Sequence, residues 1–267
     1  MKAIPVLIYW YGQENADFPP LAIQSAVKVV GEDRVVVLRD SESVAESPSA
    51  ADVTLYSNSL KRFGRYYRRG WTPTPEVSRH GFARWFVMLD YCRAHGIQRF
   101  YHIDYDVLLF SPPEDIIQDG RFSLSLSRDP ANGSTSATSS LVCLSALQAF
   151  CDLTIKAQRT WDKRVFPSHN NDMRVWQLLA ETGQFEVLDT YSVINGTAVD
   201  HHLAIVDGWD SEVEPSGHRI KKIVFQKGKP YCEHLATKQM VRFHTLHFWS
   251  NLKQLMPEYL ARAKASE

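Results

Sequence analysis

Asp104 and Asp106 stand one residue apart in "FYHIDYDVLLF", Phe100 to Phe110, an otherwise apolar run. Each carboxylate costs several kcal/mol to desolvate without a partner, so the pair calls for positive charge. Residues i and i+2 of an extended chain point the same way, so both side chains can converge on one point. A hard divalent cation, Mn²⁺ or Mg²⁺, prefers oxygen ligands. It commonly takes one or two carboxylates together with a substrate's phosphates. The aspartates fall where an apolar strand stops, which is where ligands bind in open α/β sheets. The plainer alternative is a strand-end turn with one capping aspartate.

Further stretches carry chemistry of the same kind. In "HFWSNLK", His247 can be a third metal ligand beside a strand end. Lys253, six residues on, can reach a phosphate as a point charge. A core histidine and a solvated helix lysine are the alternative. In "HNNDMRVWQLLA", Asn170, Asn171 and Asp172 form a polar cluster at the start of an amphipathic helix, as a cap or as part of a site. "IYWYGQ" places Tyr9 and Tyr11 at the end of the first strand, where aromatics can stack on a base or simply finish a core edge.

The elements that must position these residues read as α/β. Ile4 to Tyr11 is a strand, and "PPLAIQSAVKVVG" is a helix with proline at its start and Gly31 at its end. "RVVVLRD" is a second strand, apolar enough for burial on both faces. "VTLYS" reads as a third, and Asn58 to Val77 as a polar, basic loop. Strand, helix, strand at this pace predicts a largely parallel central sheet flanked by helices, with a less regular C-terminal part. In "SRHGFARWFVMLDYCRAHG", Phe82, Trp85, Phe86, Leu89 and Cys92 recur at helical spacing, and Gly96 stops the helix. "SPPED" reads as a helix start, with Ser111 as cap, Pro112 at the first helical position and Glu114 completing a capping box. "FSLSL" and "SSLVCL" are further strands around a loop, and Ala146 to Arg159 and Asp172 to Thr182 are helices. "IKKIVFQKGKPYC" predicts a hairpin turning at Lys227–Gly228, "VRFHTLHF" a strand, and Leu252 to Lys264 a closing helix.

Taken in order, these motifs resemble the GT-A-fold, nucleotide-sugar-dependent glycosyltransferases with an Asp-x-Asp motif. The nearest resemblance is to the retaining group that includes glycogenin and the lipopolysaccharide galactosyltransferases. The resemblance spans roughly Ile4 to Lys253 and is dense at the motifs. It implies one transferase domain over residues 1–267, with a nucleotide-sugar-binding part at about 1–110 and an acceptor and C-terminal part at about 111–267. It implies that Asp104 and Asp106 contact the metal and that Asp104 also contacts the donor ribose. It matches His247 and Lys253 to the family's metal histidine and diphosphate lysine, with Ser250 where the family has glycine. Asp172 keeps the acid of the family's Asp-Gln-Asp segment and is the candidate carboxylate base. Arg84 corresponds to a donor-site arginine on the helix before Asp-x-Asp, here opposite the apolar stripe. Asp40, ending the second strand, can meet the nucleobase. The implied reaction moves a sugar, from UDP-sugar in the first instance, to a glycan, lipid-linked or other hydroxyl acceptor with retention. A non-catalytic nucleotide- or carbohydrate-binding protein and a sugar nucleotidylyltransferase are the alternatives. The second lacks its Gly-rich phosphate loop after the first strand.

Composition narrows the partners. With 267 residues and 44% apolar content the chain can bury a large core. Thirty basic and thirty acidic residues cancel, which argues against a general nucleic-acid binder. No apolar run approaches the ~20 residues of a membrane helix. The N-terminus reads as a first strand rather than a signal peptide. Cys92, Cys143, Cys151 and Cys232 lack metal-like spacing and suit reduced thiols in the cytoplasm. "KRFGRYYRR", residues 61–69, interleaves basic and aromatic residues and can meet an anionic membrane surface or a phosphorylated glycan. His201 and His202 have no partner spacing and read as structural.

Overall fold

The computed structural model describes residues 3–10, 17–39, 50–67, 75–117, 121–128, 135–160 and 171–267. The first half runs β1 (Val6–Trp10), α1 (Pro19–Val30), β2 (Val35–Arg39), β3 (Ala50–Asp52), α2 (Asn58–Gly64), α3 (Pro75–Ala94), β4 (Arg99–Ile103), β5 (Val107–Leu109) and α4 (Pro113–Ile116). Next come β6 (Leu124–Arg128), β7 (Thr135–Ser136), β8 (Ser139–Cys143), α5 (Leu144–Thr160), α6 (Asp172–Glu181) and β9 (Val187–Asp189). The last third is β10 (Thr197–Ala198), β11 (Ser211–Val213), β12 (Arg219–Lys221), β13 (Val224–Gln226), β14 (Lys229–His234), β15 (Gln239–Phe243), β16 (Thr245–His247) and α7 (Met256–Ala265).

The central sheet has the order β3-β2-β1-β4-β8-β6-β7, with β9 on β6. The pairs β3–β2, β2–β1, β1–β4 and β6–β9 are parallel, while β8 runs antiparallel to β4 and β6. Alternation along β1 decides how the two faces are covered. Leu7 and Tyr9 join Phe82, Trp85, Phe86, Phe150 and Trp176 in the core under α3, α5 and α6. Val6 and Ile8 join Ala26 and the inner faces of β2, β4 and β5 on the side of α1. A separate cluster, including Trp209, Ile220, Phe243, Phe248 and Tyr259, fills the C-terminal part.

The stripe Phe82, Trp85, Phe86, Leu89 and Cys92 is buried as its spacing requires, and Gly96 ends the turn after α3 at φ 64°. Burial pushes the Cys92 thiol up to about 12, and all four cysteines are free. The hairpin turns at Lys227 (φ 49°) and Gly228 (φ 73°), the pair of positive φ values that a two-residue hairpin favours.

Several elements depart from expectation. "VTLYS" is not a strand but a 3₁₀ turn, Val53–Tyr56, because Asp52 accepts from Thr54 N (2.8 Å) and Thr54 Oγ1 (2.7 Å) and caps it. The basic segment after it is not all loop. It contains α2, whose Phe63 is buried and stacks on Phe86 at 4.6 Å, and Ser59 N–H donates to Asp90 at 2.7 Å. Glu114 forms no capping box; Pro112 takes the cap position, and the carboxylate accepts from Ile4 N (2.8 Å) and pairs with Arg34. "VRFHTLHF" is two strands, broken at His244, whose N–H turns to Ala198 O at 2.8 Å. The closing helix begins only at Met256, after a 3₁₀ turn over Ser250–Leu255. Among the described residues no helix is long and apolar enough to cross a membrane.

Candidate active site

The candidate site is built where β4 stops. Asp104 N–H donates to Thr138 O (2.8 Å), and Val107 N–H returns to Asp104 O (3.1 Å), so Asp104, Tyr105 and Asp106 form a tight turn into β5. β5 pairs antiparallel with β16 in the register His247↔Val107. Phe248 N–H then donates to Asp106 O at 2.9 Å. A strand from the far end of the sequence thus lays His247 beside Asp106.

Asp104 is met from the sheet and from α3. His102 Nε2 lies 2.8 Å from Asp104 Oδ1, and its Nδ1 lies 3.1 Å from Leu7 O. Both of these neighbours are hydrogen-bond acceptors. Arg84 donates one nitrogen to Asp104 and the other to Asp172 Oδ2 at 2.7 Å. Trp85 Nε1–H adds a bond to the same Asp172 oxygen at 2.8 Å. Gly81 leaves room for this approach, since a Cβ there would sit 3.2 Å from Asp172 Oδ1. Trp85 is itself wedged edge-on against His102 (4.8 Å) and Trp176 (5.0 Å), which fixes the indole. Burial works against the charged Asp104, but Arg84 and then His102 outweigh it and hold its carboxyl well below the usual range.

Asp106 has weaker company. Lys253 Nζ is 3.2 Å from Oδ2, and His247 Nε2 is 3.6 Å from Oδ1, too long for a hydrogen bond. Burial and the neighbouring Asp104 charge raise its carboxyl, and His247 and Lys253 offset this only in part. Lys253 also donates to Tyr105 Oη at 3.0 Å and lies 4.5 Å from the centre of that ring. Burial disfavours its charge, but Asp106 and Tyr105 outweigh this and raise its pKa. Ser250, which opens the 3₁₀ turn that carries Lys253, has φ 56°, the left-handed conformation that glycine adopts most easily. The residue type differs from the family's glycine, but the backbone conformation is one that glycine favours.

The donor types here, carboxylates and an imidazole, are those of a hard divalent cation. His247 Nδ1 lies 2.7 Å from His201 O, so it donates there, and in the neutral ring Nε2 presents a lone pair. That lone pair and Asp106 Oδ1 are two acceptors facing each other, an arrangement a cation between them relieves. A ligating histidine ordinarily donates its other ring N–H in this way. Among the described residues no group of three or more His, Cys, Asp and Glu side chains is placed to hold a metal ion as it stands. Asp104, Asp106 and His247 are nonetheless the ligand types such an ion takes, two carboxylates and an imidazole, with water or a substrate's phosphates to complete them.

The other expected residues are scattered. Tyr9 is buried beneath the sheet's end, and Tyr11, Asp40 and Asn170 lie outside the described residues. Asn171 is a helix cap, accepting from Arg174 N at 3.0 Å. Of the basic run, Lys61 and Arg62 lie on α2, with Arg62 near Asp152 at 3.5 Å, while residues 68 and 69 fall outside the description. A membrane-facing role for it gains no support. Sequence reasoning missed His102, Tyr105 and Trp85 as parts of the site. His102 and Tyr105 flank the aspartates in the chain, and that adjacency was the available signal.

No protein-family model matches the sequence, and neither does any curated protein. Solved structures do match. The galactosyltransferase LgtC, in complex with donor and acceptor sugar analogs, superposes with TM-score 0.53 at 9% identity, over 98% of this chain and 96% of that one. A glycosyltransferase involved in glycosylation of the major capsid of PBCV-1 gives 0.51 at 10% identity, over 97% and 98%. Mouse xyloside xylosyltransferase 1 gives 0.50 at 10% identity, over 70% of this chain and 84% of that one. The fold is therefore the GT-A type, a mixed α/β domain with a mostly parallel sheet, as the sequence motifs implied.

Proposed function

We propose that the protein is a metal-dependent glycosyltransferase that moves a sugar from a nucleoside-diphosphate sugar, in the first instance UDP-sugar, to a hydroxyl acceptor such as a glycan or lipid-linked glycan. One observation carries the reading. On this fold Asp106, two residues on from Asp104 at the end of β4, meets His247 and Lys253, brought back from the C-terminal part, at a buried point. The residues that would hold the cation, Mn²⁺ or Mg²⁺, are Asp104, Asp106 and His247. When bound, it supplies Lewis-acid stabilisation of the charge growing on a diphosphate leaving group.

The chain's own residues do the rest. Lys253, held by Tyr105, is a preorganised positive charge beside the place where phosphate oxygens would lie. Arg84 fixes Asp104 and keeps it ionised. The donor falls to the part at about 1–110 and the acceptor to the part at about 111–267, with His247 and Lys253 reaching across. Asp172 has its Oδ2 committed to Arg84 and Trp85, so it is poorly placed to accept an acceptor's proton. That favours retention, in which the departing phosphate oxygen can accept the proton. The four free cysteines suit a cytoplasmic setting.

Screening nucleotide sugars for Mn²⁺-dependent hydrolysis, then acceptors with the active donor, tests the reading. UDP and Mn²⁺ binding without turnover of any nucleotide sugar would leave a non-catalytic binding protein instead. The anomeric proton coupling of the fresh product tests retention, and a β-linked product from a UDP-α-sugar would overturn it.

A further inference from the structure

A second buried ion pair, with no contact to the Asp104 carboxylate, joins Asp200 and Lys221. Asp200 follows β10, Lys221 ends β12, and both are buried, at 1% and 3% exposure. Lys221 Nζ is 2.9 Å from Asp200 Oδ1 and donates to His202 O at 2.6 Å. Lys221 N–H also donates to Leu203 O at 3.0 Å, so the lysine is tied to this segment by backbone as well as by side chain.

The segment so held, residues 200–203, grips His247 at every polar group it has except Nε2. Asp200 Oδ2 accepts from His247 N at 3.0 Å. Leu203 N–H donates to His247 O at 3.0 Å. His201 O accepts from His247 Nδ1 at 2.7 Å. The amide, the carbonyl and one ring nitrogen are all fixed by four consecutive residues. The ring's remaining nitrogen is left facing Asp106. A buried ion pair is a poor way to gain stability, since apolar residues of similar volume often do as well. It is a good way to hold a carboxylate in one orientation.

We propose that Asp200 and Lys221 are positioning residues whose work is to set the tautomer and aim of His247, and through it the metal affinity of the site. This rests on the metal reading above only for its second half. The setting of the tautomer stands on the His247 contacts alone. Outer partners of a ligating histidine are worth roughly 10–100-fold in metal affinity.

The test uses two double variants of the full chain, read by ¹⁵N NMR of the histidine rings and by Mn²⁺ titration with the free ion followed by EPR. Asp200→Asn/Lys221→Met keeps an acceptor for His247 N and should retain the Nδ1-protonated ring and near wild-type Mn²⁺ affinity. Asp200→Leu/Lys221→Met removes the acceptor while keeping an apolar-packed interior. It should mix the tautomers and weaken Mn²⁺ by about 10–100-fold. A Leu/Met variant with the wild-type ring signal and wild-type Mn²⁺ affinity would overturn the proposal. So would a wild-type spectrum in which His247 carries its proton on Nε2, whether or not the Leu/Met variant folds. If the wild-type protein takes up no Mn²⁺ at all, the metal reading falls. The ring signals then decide the proposal alone: a mixed signal in the Leu/Met variant supports it and an unchanged one refutes it.

Discussion

Arg84→Met is the perturbation with the most to say about this site. The guanidinium serves two carboxylates, Asp104 and Asp172, and the side chains of all three are less than a fifth exposed. Removing one partner of a buried ion pair costs about 3–5 kcal/mol, because a charge is left behind without its counterion. Two features pull the cost toward the lower figure. His102 remains for Asp104, and Trp85 Nε1 remains for Asp172, so neither carboxylate is left without a donor. Methionine also preserves much of the stem that packs on Trp85, although the cation over that ring, 4.9 Å from its centre, is lost. We expect a loss of about 3 kcal/mol near neutral pH in urea unfolding with chelator present.

The second half of the experiment adds Mn²⁺. Without Arg84, Asp104 is no longer committed to a fixed cation, so the metal should stabilise the variant more than the wild type. At a hundredfold excess over Kd that linkage is worth about 2.7 kcal/mol. Adding Asp172→Asn to Arg84→Met should cost less than Asp172→Asn alone, with a coupling of about 1–3 kcal/mol. A loss below about 1 kcal/mol without metal would show that Arg84 behaves as a surface cation and refute the ion-pair account. Equal Mn²⁺ stabilisation of variant and wild type would refute the competition between Arg84 and metal.

Other outcomes follow from the same contacts. Asp106→Asn should abolish Mn²⁺-dependent UDP binding in calorimetry and leave the melting temperature nearly unchanged or higher, because its buried carboxyl is already pushed toward the neutral form. Lys253→Ala should cut turnover by about 10²–10³, as removal of one preorganised donor does, with the circular dichroism spectrum unchanged. Ser250→Gly relieves a left-handed serine and should be neutral or stabilising by about 1 kcal/mol in thermal unfolding, whereas Ser250→Val should destabilise. His244 is buried with neither ring nitrogen partnered, and burial, then Arg242 and Lys229, hold its pKa down at about 4. The unfolded chain therefore binds the extra proton first. Stability should be intact above about pH 6.5 and fall by about 2–3 kcal/mol toward pH 4, less steeply in His244→Phe.

What the sequence disclosed depended on whether the physical signal was local. The α3 stripe was legible because apolar spacing at the helical period is enforced by one buried face. The aspartate pair was legible because carboxylates inside an apolar run demand a reason. Arg84 was harder to place, since it lies opposite that stripe. In the structure Ala83, Val87 and Met88 are buried too, so α3 is covered on more than the stripe's face, and Arg84 reaches the site from between buried neighbours. No periodicity reports that. The helix over Asn58–Gly64 was hidden by its basic composition, although Phe63 is buried in the core and Leu60 packs against it. The grip on His247 was out of reach for a different reason. It joins Asp200, His201 and Leu203 to residue 247 across more than forty positions, partly through backbone carbonyl and amide groups, and neither that separation nor those groups leave a mark in residue type.

The charges of the site are not shared evenly between the two aspartates, and this bears on where a cation would enter. Asp104 is oversupplied, with Arg84 and His102 both donating to it. Asp106 is undersupplied. Lys253 is divided between it and Tyr105, and its other neighbour, His247 Nε2, is too far for a hydrogen bond and in the neutral ring presents a lone pair. The opposite pKa shifts of the two carboxyls express this difference: one is held down by its partners and the other is raised by burial and by Asp104. On the metal reading, the Asp106–His247 side is therefore where added positive charge gains most. Asp104 would join as a ligand only to the extent that Arg84 yields it. The same imbalance suits Lys253 to an anionic substrate. A divalent ion that takes over Asp106 would free the ammonium from its carboxylate and leave it, still tethered to Tyr105, to face a phosphate.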